Sequence, residues 1–135
     1  MGTSPAFAET ENYAHAVVIT AADKEISVEV ADTVEKRSLG LGKRQGLKKG
    51  WGMLFIFENK KLQSFWMKDM QFPLDIIWLD DYKIIHILQN VQPVAPGEKP
   101  PILKPSVPAN FVLELNAGRA AELKLQLGQR LKYKF

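Results

Sequence analysis

Ser64-Phe65-Trp66-Met67-Lys68-Asp69-Met70-Gln71-Phe72-Pro73-Leu74-Asp75-Ile76-Ile77-Trp78-Leu79 sets two apolar, strand-like runs on either side of a proline. Proline has no N–H to give to a sheet ladder, so Pro73 ends the first run or holds it at an edge. The second run, 76–79, does not alternate, which predicts a strand buried on both faces. Met53 to Phe57 is a second continuous apolar run and carries the same expectation. Alternation along 64–68 puts Trp66 and Lys68 on one face and Phe65 and Met67 on the other.

Working outward, His15–Thr20 and Glu25–Val30 are β-rich runs joined by Ala21-Ala22-Asp23-Lys24, a hairpin. Asp32 or Thr33 caps a short helix over about 34–39. Five of the nine glycines then fall between Gly40 and Gly52, in a basic loop that ends in the 53–57 strand. Residues 58–61 read as a turn, and 75–79 with 82–88 as a second hairpin. Residues 89–110 hold six of the eight prolines and read as a polyproline-like connector along the surface. A strand over 111–116, a short helix over 117–125 capped by Asn116, and a closing strand over 130–135 complete the chain. The expected class is mostly β (α+β): a compact antiparallel β-barrel or sandwich with two short helices.

The 135 residues fit a single β-rich domain over 14–135, preceded by a leader over 1–13. Ala6-Phe7-Ala8 before Glu9 reads as the small-x-small end of a signal peptide, which predicts a periplasmic or secreted protein. The 46% apolar and 24% charged shares are those of a globular chain, and no apolar run reaches membrane-spanning length. A net charge of +3 falls short of the basic stripe of a nucleic-acid binder. The chain has no cysteine, which removes thiolate catalysis and Cys-ligated zinc. His15 and His86 stand alone, without metal-ligand spacing, and no cofactor motif is present. No elbow motif surrounds Ser38, Ser64 or Ser106. The 40–50 loop fails both the P-loop and the Gly-x-Gly-x-x-Gly patterns, though Arg44 and its backbone amides remain candidates to hold an anion.

Val28-Glu29-Val30-Ala31-Asp32-Thr33, Gly52-Met53-Leu54-Phe55, Phe65-Trp66-Met67-Lys68, Pro73-Leu74-Asp75-Ile76 and Val112-Leu113-Glu114-Leu115-Asn116-Ala117-Gly118 occur in that order. Together they resemble the domain of unknown function 192 family of bacterial and archaeal proteins, over residues 25–135. The resemblance implies a compact, mostly antiparallel β-fold, often exported, and no established activity. Relatives commonly show Arg-Gly-Leu-Met after the helix, where this chain has Ser38-Leu39-Gly40-Leu41-Gly42.

The candidate ligand-binding residues are Arg44, Trp66, Lys68, Asp69, Asp75 and Glu114. A lysine beside a tryptophan and two carboxylates suits a small anionic or carbohydrate-like ligand or an envelope partner. The competing account is structural: Trp66 in the core, Lys68 paired with an acid, Asp69 turning the chain. Glu114 shares a strand face with Asn116; if that face is covered, its carboxyl must be paired or protonated, with Lys68, Arg37 or Arg44 as possible partners. Two further readings stand beside the binding protein. One is a small hydrolase using Asp75 and Glu114 as a carboxylate pair. The other is an interaction module docking through its proline segment.

Overall fold

The computed structural model describes residues 13–135. Seven strands form one curled sheet: β1 (Ala14–Ile19), β2 (Glu25–Ala31), β3 (Trp51–Lys61), β4 (Leu74–Asp80), β5 (Lys83–Val91), β6 (Ala109–Asn116) and β7 (Lys132–Lys134), in the order β5-β4-β6-β3-β2-β1-β7. Two short helices, α1 (Val34–Leu39) and α2 (Arg119–Glu122), complete it. The curl brings its two ends together at one corner. There the Ile84 N–H donates to Gln129 O (2.9 Å), and Gly128 and Leu131 donate to Ile84 O and Tyr82 O (both 2.8 Å). The mostly β class with two short helices is therefore correct. The expected leader lies outside the described residues except for Tyr13, which is buried, with the Arg44 guanidinium over its ring.

The two non-alternating runs are the central strands. β4 lies between β5 and β6, and β3 between β2 and β6. Each strand face then meets a layer of its own. Val18, Ile26, Val28, Leu54, Ile77, Leu79, Leu113 and Leu115 fill the inside of the curl. Met53, Phe55, Leu74, Ile76, Trp78 and Val112 form a second cluster on the outer face, roofed by Leu41 and Met67.

All pairings are antiparallel except one. β2 and β3 run parallel, from Ser27↔Trp51 to Ala31↔Phe55, because α1 and the glycine-rich loop carry the chain back over the outer face. Thr33 is the helix cap, its Oγ1 accepting from Lys36 N–H (3.2 Å). Gly40 ends the helix at φ 51°, where a side chain would be strained and its Cβ would sit 3.2 Å from the Phe55 ring.

Several local expectations need correction. Residues 64–68 are not a strand. Both edges of β3 and of β4 are already paired, so this segment finds only one bridge, Phe65↔Leu103, with two 2.6 Å hydrogen bonds to the proline connector. It then turns at 67–70, with Asp69 at φ 59°. Residues 58–61 are not a turn but the end of β3, past a register shift between Ile56 and Lys61. The second helix is one turn long, because Lys124 takes φ 54°. Asn116 does not cap it; Gly118 holds that position, and Asn116 Nδ2 donates to Leu47 O (3.0 Å). The closing strand shrinks to β7. The connector after β5 is long because β6 lies on the far side of β4, so the chain must cross that strand.

Candidate functional site

The α1 crossover and the 64–70 segment stand side by side on the outer face and leave a cleft of about 590 Å³ between them. One wall is α1 with residues 40–43, and the other runs from Ser64 to Met70. Phe55 and Phe57 of β3 and Glu114 of β6 line it from the sheet. The walls are tied together where the Lys43 N–H donates to Asp69 O (2.8 Å). Gly42 is needed at this junction, since a Cβ there would lie 3.0 Å from Leu39 O and 3.5 Å from Lys68 O.

Trp66 is 47% exposed and presents an aromatic face on the rim. The Lys68 ammonium lies over that ring at 5.4 Å, a cation–π contact. The face assignment made from alternation holds even without a strand: Trp66 and Lys68 point out, while Met67 is buried. The core tryptophan is Trp78, whose Nε1 donates to Gln63 O (2.8 Å). Arg37, which the sequence reading named only as a possible partner for Glu114, also lines the cleft. Its Nη1 donates to Ile56 O (3.0 Å) and its guanidinium lies over the Phe57 ring at 5.1 Å.

Glu114 is the unusual group. It pairs with Met53 on β3 and Ile76 on β4, so its side chain rises from an apolar row. It is only 5% exposed, and among the described residues no hydrogen bond or ion pair reaches its carboxyl. Burial pushes that carboxyl up from 4.5 to about 8, so it is mostly protonated at neutral pH. A protonated carboxyl can both donate and accept a hydrogen bond.

None of the three proposed partners reaches it. Arg44 is buried and grips Glu29 with two hydrogen bonds, Nη1 to Oε2 at 2.7 Å and Nη2 to Oε1 at 3.1 Å. Glu29 sits two strands away in the same row, since Glu29 and Glu114 both pair with Met53. One acid of the row thus has its counter-charge in place, and the other faces the cleft.

The structure brings Trp66, Lys68, Asp69 and Glu114 to one cleft and leaves Arg44 and Asp75 outside it. Asp75 pairs with Leu115, the neighbour of Glu114 along β6, so the two carboxyls project to opposite faces of the sheet. Asp75 is fully buried. Its Oδ2 accepts from Gly118 N–H (3.0 Å) and Ala120 N–H (2.9 Å), and its Oδ1 from Asn90 N–H (2.8 Å). It fixes the start of α2 and the end of β5. A facing Asp75–Glu114 pair therefore does not exist.

Among the described residues, no group of three or more histidine or acidic side chains is placed to hold a metal ion. No described helix is long and apolar enough to cross a membrane.

Two solved structures share the fold. A candidate transcription regulator from Sinorhizobium meliloti is 32% identical, with a TM-score of 0.78 over 90% of this chain and 95% of its own. A protein of unknown function from Novosphingobium aromaticivorans is 28% identical, with a TM-score of 0.76 over 89% of this chain and 84% of its own. No curated protein matches the chain. The family described as Uncharacterized ACR, domain of unknown function 192, matches residues 17–133. With nearly all of its β-domain inside that match, the chain belongs to the domain of unknown function 192 family.

Proposed function

We propose that this protein binds a small, hydroxyl-rich, carbohydrate-like ligand in the cleft, with the apolar face of the ligand on Trp66 and a hydroxyl on the Glu114 carboxyl. One observation carries the reading: a buried carboxyl without a protein partner at the bottom of an open cleft. The Glu114 oxygens reach the cleft, so a ligand hydroxyl can make the hydrogen bonds that no protein group supplies. The cleft volume of about 590 Å³ lies within the roughly 300–1,000 Å³ of small-molecule sites. Mixed rim charges, Arg37, Lys43 and Lys68 against Glu35 and Asp69, supply donors and acceptors together. The slight cationic excess also suits a sugar bearing a carboxylate.

The site belongs, in this reading, to an exported protein, on the strength of Ala6-Phe7-Ala8 before Glu9. Fractionation of cells making the full gene product should place it outside the cytoplasm; an unprocessed cytosolic form would refute export. The regulator description of the Sinorhizobium protein is not carried over, because a net charge of +3 supplies little attraction for nucleic acid.

The binding test is a thermal-shift panel of glucose, galactose, mannose, N-acetylglucosamine and glucuronic acid. A ligand of the native state alone must raise the melting temperature. Trp66→Ala and Glu114→Leu should each weaken the response by about tenfold in apparent Kd, while Glu114→Gln, which keeps a donor and an acceptor, should retain it. No shift with any sugar, or shifts that ignore Trp66→Ala and Glu114→Leu, would refute the reading.

A further inference from the structure

A second hollow, of about 360 Å³, adjoins the cleft. Lys43 and the 67–70 turn line both, so the two spaces are divided only by that turn and by the loop residue bonded to it. The far wall of the second hollow is the proline connector from Val94 to Pro100, which turns where Glu98 N–H donates to Ala95 O (3.0 Å). Its side-chain hydrogen-bonding groups include Gln71 and Glu98, both exposed. Pro96 and Pro100 add apolar ring faces.

We infer that the two hollows are consecutive subsites of one groove that takes a linear oligosaccharide, whose chain crosses the 67–70 turn beside Lys43 and Lys68. This rests on the carbohydrate reading of the cleft. Three features point to a chain molecule in place of two separate ligands. The hollows share Lys43 and the 67–70 turn as lining, so they lie on either side of one turn. Lys68 and Asp69 are exposed and border both spaces, placing a donor and an acceptor where a linking sugar would pass. The charges around the second hollow balance, Lys43 and Lys68 against Asp69 and Glu98, which suits uncharged hydroxyls. A sugar ring presents an apolar face and a hydroxyl edge, and each hollow offers a matching pair: Trp66 with Glu114, and the proline faces with Gln71 and Glu98.

The test compares chain lengths by calorimetry, using glucose and its β-1,4-linked tetramer, and N-acetylglucosamine and its β-1,4-linked tetramer. In at least one series the tetramer should bind about tenfold or more tighter than the monomer. The double substitution Gln71→Ala with Glu98→Ala should abolish that advantage and leave monomer affinity unchanged. Equal affinity of monomer and tetramer overturns the two-subsite groove and leaves the cleft reading standing. A length advantage that survives the double substitution also overturns it, by placing the extra units elsewhere. If neither monomers nor tetramers bind, both readings fall together.

Discussion

Glu114→Gln should make the protein more stable at neutral pH, and the size of the effect should grow with pH in a defined window. The folded state holds the Glu114 proton far more tightly than the unfolded chain, because the carboxyl rises from 4.5 to about 8 on burial. The Glu114 contribution to stability is therefore greatest below about pH 4.5, where both states are protonated. It falls as pH rises, while the unfolded chain alone releases its proton, and levels off above about pH 8, when the folded chain releases its own. A gap of about 3.5 pH units corresponds to about 5 kcal/mol across the window and about 3 kcal/mol by pH 7. Glutamine has the same shape and cannot ionise, so it loses this slope. Urea unfolding of both proteins, followed by tryptophan fluorescence at pH 4, 5.5, 7 and 8.5, gives the difference curve. Subtraction cancels the other titrating groups. Any constant offset from the amide itself shifts the curve without tilting it. A difference that stays flat from pH 4 to 8.5 would refute a carboxyl held protonated by burial.

Lys68→Ala should change stability by no more than about 0.5 kcal/mol, since its side chain is exposed and among the described residues its ammonium meets the Trp66 ring alone; a loss of several kcal/mol in denaturant titration would mean a buried partner. Arg44→Ala should cost about 3–5 kcal/mol, because it leaves Glu29 buried without its counter-charge. In the same urea assay a loss below about 1 kcal/mol would contradict that role. Asp75→Ala strips the acceptor from three backbone N–H groups and should cost about 3 kcal/mol or more. Hydrogen exchange should show faster exchange at Asn90, Gly118 and Ala120, and unchanged protection there would refute the capping account.

Strand identity was legible where it depended on local pattern. The runs at 53–57 and 76–79 lack alternation because each is flanked by strands on both sides and covered on both faces. Residues 64–68 also look strand-like, but both edges of β3 and of β4 are already paired, a fact that lives in the topology and leaves no trace in the local sequence. Parity along one extended segment was also readable, which is why Trp66 and Met67 fall on opposite sides as expected. Parity between strands was not. Asp75 and Glu114 look like a pair until the register sets Asp75 against Leu115. The same limit hid the assignment of Arg44 to Glu29, because only the crossing loop brings these residues together. Arg37 carried a signal: a cation on a helix that immediately follows a strand and precedes the glycine-rich loop.

The central claim is that the cleft between α1 and the 64–70 segment binds a hydroxyl-rich ligand through Trp66 and Glu114. Its most direct test is residue-resolved NMR on isotopically labelled protein titrated with the sugar panel. The account predicts saturable shifts at the Trp66 indole N–H and the Glu114 side-chain carboxyl carbon, with the buried Trp78 indole unmoved. Saturable shifts confined to another surface, or none at Trp66 and Glu114 with any sugar, would contradict it.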